Sequence, residues 1–137
     1  MSAKMYIRFI TPGRVEEARY AAPGIFQGGG GARHDMRLPE WLRSALKDEY
    51  AWFNDHLDAP ERFGLRMRGD RKAYAGLCWF RDDAREALRH AYTLASLLGE
   101  AGVPVTRVVS NRPGDIVWRD HQQIVAMPHR DSPVLWQ

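Results

Sequence analysis

Two segments in the first half of the chain space their apolar side chains regularly. Residues 4–11, KMYIRFIT, are rich in aromatic and β-branched side chains and predict a strand, which Pro12 and Gly13 end. Residues 39–57 carry apolar side chains along one half of a helical wheel, so they predict an amphipathic helix. A proline suits its first turn, and Asp-Ala-Pro at 58–60 ends it.

The same patterns continue after residue 71. Residues 72–80, KAYAGLCWF, predict a largely buried strand. The following segment predicts a second amphipathic helix that Asp82 or Asp83 caps and that ends at Gly102. Residues 103–110, VPVTRVVS, predict the next strand.

A hairpin is predicted near the end of the chain. The sequence NRPGD at 111–115 is typical of a turn, and IVWR and QQIVAM alternate well enough to pair as two strands. Asp120 and His121 then lie at the tip, where both residue types tolerate positive φ. The stretch VWRDHQQIVAMPH also suggests a catalytic strip, but His129 lies about eight residues from the tip, too far for a tight pair.

The order of elements predicts a single α/β domain over residues 1–137, at the border of α+β. We expect a mixed sheet in the order β-α-β-α-β-β-β with two helices packed on it, and right-handed crossovers would make the first three strands parallel. Residues 12–38 are expected to be an irregular or partly helical connection. Its four glycines at 28–31 favour flexibility, or alternatively a short helix around residues 25–33 in which they allow close packing. Residues 128–137 are expected to be a tail.

The cysteine content and the distribution of apolar residues restrict the class of protein to which the chain can belong. Cys78 is the only cysteine, so an intrachain disulfide is excluded, and we expect it to act as a small buried hydrophobe. The N-terminus lacks the apolar stretch of a signal peptide, and no window is apolar enough to span a membrane. These features predict a cytoplasmic protein.

The basic residues are concentrated in one stretch. Residues 61–72 hold five basic and two acidic side chains, which accounts for the whole net charge of +3. We expect a solvated basic loop over residues 58–72, and the alternative is a loop that binds nucleic acid or another polyanion. The candidate contacts to nucleic acid are Arg62, Arg66, Arg68, Arg71 and Lys72.

Glu49 and His56 fall inside the apolar arc of the first helix, two turns apart. A polar pair in that position bonds backbone or a neighbouring arginine in most proteins. It is also the arrangement of an acid–base pair in a pocket, so these two residues are the candidate catalytic groups.

A second candidate site lies where the predicted strands end. Ligands of parallel sheets sit beyond the carboxyl ends of the strands, where Arg81, Asn111 and Arg112 would be displayed. Arginines beside a helix N-terminus bind anions, so these three residues are the candidate ligand site. Metal-binding, cofactor-binding and serine-nucleophile motifs are not found, so no metal or cofactor is expected.

Four stretches carry a resemblance: MYIRFI, WFNDHL, CWFRDDA and SNRPGDIVWRDHQQIVAMP. Together they resemble a widespread set of small bacterial proteins whose activity is not established. The resemblance implies a bacterial, cytoplasmic, single-domain protein and no catalytic residue.

We therefore expect a binding or adaptor protein, without catalysis, that acts through a protein partner or its own dimer. An exposed aromatic patch near Trp118 would favour this hypothesis. The alternatives are a nucleic-acid-directed protein, such as a small nuclease or toxin-like factor, and an anion- or nucleotide-binding module at Arg81 and Arg112.

Overall fold

The computed structural model describes residues 4–12, 24–57 and 77–128. Its elements follow the predicted order β-α-β-α-β-β-β, which confirms the α/β class and the two long helices. The strands are β1 (Tyr6–Ile10), β2 (Leu77–Arg81), β3 (Thr106–Ser110), β4 (Asp115–Arg119) and β5 (Gln123–Met127). The helices are α1 (Ile25–Gly28), α2 (Glu40–His56) and α3 (Arg85–Glu100), with a 3₁₀ helix (Gly30–His34) between α1 and α2.

The sheet is antiparallel throughout, in the order β3-β1-β2-β5-β4, so the prediction of a mixed sheet with three parallel strands was wrong. The cause is the position of β1. Strands β2 and β3 point the same way, as a crossover through α3 requires, but β1 lies between them and runs opposite to both. The unit is therefore a split β-α-β unit rather than a pair of adjacent parallel strands.

The two faces of the sheet bury separate cores. On one face, Ile7, Phe9 and Phe80 pack against both long helices, so α2 and α3 lie on the same side. On the other face, Trp79 packs with Leu77 of the same strand and with Ile124 of β5. Side chains of a strand alternate between faces, which is why neighbouring residues of β2 enter different cores.

One glycine of the run at 28–31, Gly29, is required by packing. A Cβ at Gly29 would lie 2.7 Å from Leu98 Cδ1 and 2.8 Å from the Tyr50 hydroxyl, so only glycine fits between the helices. The described part of the connection is thus helical and closely packed. This agrees with the alternative hypothesis of a short helix around residues 25–33 and not with a flexible linker. Residues 13–23 lie outside the described residues.

Two local details of the helices differ from expectation. Asp82 and Asp83 do not cap α3, because the Asp82 carboxylate accepts a hydrogen bond from the Met5 N–H and Asp83 binds Arg81. The helical wheel of residues 39–57 puts Trp41 on the apolar half, yet its side chain is 60% exposed. It is the second residue of the helix.

The predicted turns fall where expected. Gly114 has φ +124°, and a Cβ there would overlap the Met127 carbonyl, so the Pro-Gly turn requires glycine. Gly102, with φ +86°, follows α3. At the β4–β5 tip, contrary to expectation, no residue has a positive φ. The turn is held instead by Asp120 Oδ1, which accepts hydrogen bonds from the backbone N–H groups of Gln122 and Gln123 at 2.8 Å each.

In the part of the chain that the structure describes, no helix is both long enough and apolar enough to cross a membrane.

Candidate functional site

One face of α2 carries three polar or aromatic side chains in a row. Glu49, Trp52 and His56 are spaced i, i+3 and i+7, which aligns them along the helix. This row faces α3, which packs beside α2 on the sheet.

A histidine of α3 meets this row. His90 Nδ1 lies 2.7 Å from Glu49 Oε2, with both side chains largely shielded from solvent. The His90 ring stacks on Trp52 at 3.8 Å between centroids, and the His56 ring stacks on the same indole at 4.3 Å. Glu49 and His56, the two candidate catalytic residues, are therefore linked through Trp52 and His90 and do not bond to each other.

Hydrogen bonds fix the tautomers of both imidazoles. His56 Nδ1 lies 2.8 Å from the Trp52 carbonyl oxygen, which can only accept, so Nδ1 carries a hydrogen. The same holds for His90 Nδ1 against the Glu49 carboxylate. In the neutral form, each ring then keeps its lone pair on Nε2, the state of a proton acceptor.

The β4–β5 tip closes the site from a third direction. Gln122 Nε2 donates to the His56 carbonyl oxygen at 2.8 Å and ties the hairpin to the end of α2. A cavity of about 300 Å³ lies between the hairpin tip and the two helices. We call it the histidine cleft; it is lined by Trp52, His56, Asp83, Ala84, Arg85, Glu86, Ala87, His121 and Gln122.

Charges around the histidine cleft balance. Asp83 accepts from Arg81 at 3.2 Å, and Arg85 and Glu86 supply one further charge of each sign. The imidazoles of His56 and His121 are the groups in the cleft that can both accept and donate a proton. This arrangement suits proton transfer better than the capture of a strong anion.

The predicted ligand site at Arg81, Asn111 and Arg112 has a different geometry. Tyr6 of β1 stands opposite both Arg81 and Ser110, so one strand separates the two ends by roughly 10 Å. Arg81 is bound to Asp83 and donates to the Asp120 carbonyl oxygen at 3.1 Å, so its guanidinium anchors the hairpin. Asn111 and Arg112 are exposed beyond β3.

The basic candidates Arg62, Arg66, Arg68, Arg71 and Lys72 lie outside the described residues, as do residues 129–137 of the predicted tail. Among the described residues, no group of three or more His, Cys, Asp or Glu side chains is placed to hold a metal. Cys78 is exposed rather than buried.

A different surface exposes apolar side chains. Trp118, near which an exposed patch would favour the adaptor hypothesis, is only partly exposed. Tyr92 of α3 and Val109 of β3 are 44% and 42% exposed, and Arg107 donates to the Tyr92 hydroxyl at 2.7 Å. These residues flank the β3 edge of the sheet.

His90 was the residue that sequence reasoning missed. The sequence pattern predicts that Glu86 and His90, spaced i and i+4, lie together on the outer face of this helix. The spacing of His90 from Ala87 and Leu94, three and four residues away, already placed it beside the buried stripe. The partner carboxylate is 41 residues away, so only the packing of α2 on α3 identifies it.

No protein-family model matches the chain, and neither a curated protein nor a solved structure matches it.

Proposed function

We propose that the protein is a cytoplasmic binding or adaptor protein, without catalysis, that acts through a protein partner bound at the β3 edge of the sheet. The observation that carries this proposal is the regular open edge of β3. Its five residues pair with β1 without interruption, from Tyr6↔Ser110 to Ile10↔Thr106. Among the described strands, none pairs with the other side of β3. Such an edge offers backbone donors and acceptors to an added strand.

The two edge strands of the described sheet differ in the features that oppose strand pairing. Strand β4 has an irregular register between Ile116 and Trp118, and exposed Asp115 and Arg119 stand at its two ends. Bulges and charges of this kind block edge-to-edge pairing. Strand β3 has a regular register with β1, and its one charged residue, Arg107, is bound to Tyr92.

The side chains beside β3 have the chemistry of an interface. Pairing with β1 places Arg107 and Val109 on the face that carries α3, next to Tyr92. Tyrosine and arginine are enriched at the centres of protein interfaces, and an exposed valine beside them supplies apolar area.

The occupant that fits this edge is a second copy of the chain. An antiparallel pair centred on Val108 would set Arg107 opposite Val109 of the second copy, so like charges would not face each other. Thr106 would face Ser110 of the second copy, a pair of hydroxyls that can hydrogen-bond across strands. The edge is thus self-complementary, as a two-fold interface requires.

Analytical ultracentrifugation over a range of concentrations tests this proposal. We expect a monomer–dimer equilibrium for the natural chain and a dimer weakened about 10-fold or more by Val109→Lys, since an inserted charge blocks strand pairing. Ser44→Lys adds the same charge to an exposed site on α2 and should leave the equilibrium unchanged. Hydrogen exchange should slow at residues 106–110 as concentration rises. A chain that stays monomeric at every concentration overturns the second copy as the occupant.

A second function is favoured by one observation, the Glu49–His90 contact. A carboxylate that holds an imidazole in one tautomer is the arrangement of a general base, and His56, which stacks on Trp52 as His90 does, lines the histidine cleft. Two imidazoles are the groups that acid–base cleavage of a phosphodiester needs, which agrees with the alternative of a nucleic-acid-directed protein.

Cleavage of fluorescent single-stranded RNA and DNA oligonucleotides tests the second function. We expect His90→Gln and His56→Gln each to lower the rate about 100-fold or more, because each removes a proton-transfer group. His34→Gln is the matched control, since His34 ends the 3₁₀ helix, outside the row formed by Glu49, Trp52 and His56. A natural chain without cleavage activity, or equal rates in all three variants, would rule this function out.

A further inference from the structure

The His121 side chain stands at the histidine cleft without a partner. It is exposed at the β4–β5 tip and lines the cleft together with His56. In the part of the chain that the structure describes, this side chain has no hydrogen bond, ion pair or ring contact. Its two neighbours are anchored, since Asp120 accepts backbone N–H groups of the tip and Gln122 donates to the His56 carbonyl oxygen. The backbone of His121 is therefore held in place while both ring nitrogens are available to a ligand.

Arg85 brings a second available donor to the cleft. It is the first residue of α3 and is exposed, and its guanidinium has no partner among the described residues. Of the two carboxylates that line the cleft, Asp83 is bound to Arg81, so Glu86 is the one that opposes an anion. An imidazole N–H and a guanidinium suit the two non-bridging oxygens of a phosphodiester, which share a single negative charge. The available donors therefore fit the group that the second function would cleave.

The attacking hydroxyl group has to come from outside the walls of the cleft. Among the described residues that line it, none carries a hydroxyl or a thiol. Imidazoles activate a hydroxyl group by moving protons, so the group that attacks comes from water or from the substrate. In RNA the 2′-hydroxyl is attached beside the reacting phosphate, so it attacks as an intramolecular group and does not have to be bound first. DNA lacks this hydroxyl.

We propose that the substrate of the histidine cleft is RNA, that its 2′-hydroxyl is the nucleophile, and that His121 donates a hydrogen bond to a non-bridging oxygen of the reacting phosphate. This assignment rests on nucleic-acid cleavage, the second function proposed above. As the 2′ oxygen bonds to phosphorus, its proton passes to a neutral imidazole. The P–O5′ bond breaks, and the 5′ oxygen takes a proton from a protonated imidazole. The products are a 2′,3′-cyclic phosphate and a free 5′-hydroxyl, and no third reactant is consumed.

A DNA oligonucleotide that contains one internal ribonucleotide tests the choice of substrate. We expect the natural chain to cut it only on the 3′ side of the ribonucleotide, to leave the all-DNA strand intact, and to produce a 2′,3′-cyclic phosphate that mass spectrometry detects. Cleavage of the all-DNA strand at a similar rate would overturn the assignment to RNA and leave the second function standing. Cleavage of no strand, an all-RNA strand included, would overturn both.

His121→Ala tests the contact to the phosphate. We expect the rate on RNA to fall about 100-fold, because a donor to the developing charge is lost. His34→Ala removes another exposed histidine and should leave the rate unchanged. Sulfur in place of one non-bridging oxygen should slow the natural chain about 10-fold, and this sulfur effect should shrink several-fold in His121→Ala. A structural role for His121 would not change the sulfur effect. An unchanged rate in His121→Ala, or an undiminished sulfur effect, would overturn the role of His121.

Discussion

The Glu49 carboxylate on α2 lies 2.7 Å from His90 Nδ1 on α3, and this contact joins the two long helices on their shared side of the sheet. Trp52 covers the His90 ring, so the pair is shielded from water on one side. A hydrogen bond in such surroundings is stronger than one on the surface, because less solvent competes for its atoms. The contact is therefore a structural bond between the helices whether or not it also serves proton transfer.

Glu49→Ala should lower the free energy of unfolding by about 1–2 kcal/mol, because it removes the acceptor and leaves the His90 N–H partly buried. Urea denaturation followed by circular dichroism measures this change. Asp48→Ala removes a carboxylate from the next residue, which is exposed, and should change stability by less than about 0.5 kcal/mol. Equal losses in the two variants would show that the Glu49–His90 bond adds nothing to stability.

Gly29→Ala should destabilise the protein by about 1–3 kcal/mol, because the added methyl group would press on Leu98, the Tyr50 hydroxyl and the Ile25 carbonyl. Gly29 has φ −109°, so the cost comes from packing and not from backbone conformation. Gly31→Ala is the control, since nothing lies within 4 Å of a Cβ there. Thermal unfolding of both variants checks this, and a Gly31→Ala protein as unstable as Gly29→Ala would contradict it.

Much of the fold could be predicted from local patterns. Period-2 and period-3.6 spacing located the strands and long helices, and Gly102 and Gly114 marked turns that need positive φ. The direction of β1 relative to its neighbours could not be predicted. The crossover rule requires β2 and β3 to run parallel, but it does not say whether another strand lies between them.

The sites depended on contacts between segments far apart in the chain. The helical wheel placed Glu49 and His56 on one face of α2, which was enough to select them. Their connection through His90 required the packing of α3, and the early separation of β1 from β2 left no local signal. Trp41 shows the opposite error. The helical wheel places it inside the apolar arc, but its side chain is exposed at the start of the helix.

Tyr50 should make the stability pH-dependent above pH 10. Burial raises the pKa of Tyr50 to about 12, whereas a tyrosine in an unfolded chain ionises near pH 10. Between these values the unfolded state releases a proton that the folded state keeps. The contribution of Tyr50 to the free energy of unfolding is therefore complete below pH 10, and it falls by up to about 2–3 kcal/mol as the pH rises to 12.

Tyr50→Phe isolates this effect. At pH 7 the variant should be less stable by about 1 kcal/mol, because the hydroxyl donates to the Ile25 carbonyl oxygen at 2.8 Å. The difference between the two proteins should shrink, and then reverse, from pH 10 to pH 12. Arg8, whose pKa burial lowers to about 10, has the opposite pH dependence but is common to both proteins. A difference that stays constant over this range would contradict the prediction.

Asp120→Ala should loosen the β4–β5 tip, because Asp120 Oδ1 accepts both the Gln122 and Gln123 backbone N–H groups. We expect a loss of about 1–2 kcal/mol in the free energy of unfolding, and Asp120→Asn should recover most of it, since an amide oxygen can accept the same bonds. Loss of the tip should also release Gln122 from the end of α2 and open the histidine cleft. Hydrogen exchange at residues 120–123 follows the tip directly. Faster exchange in Asp120→Ala with natural rates in Asp120→Asn is the expected result, and natural rates in Asp120→Ala would show that the carboxylate does not hold the turn.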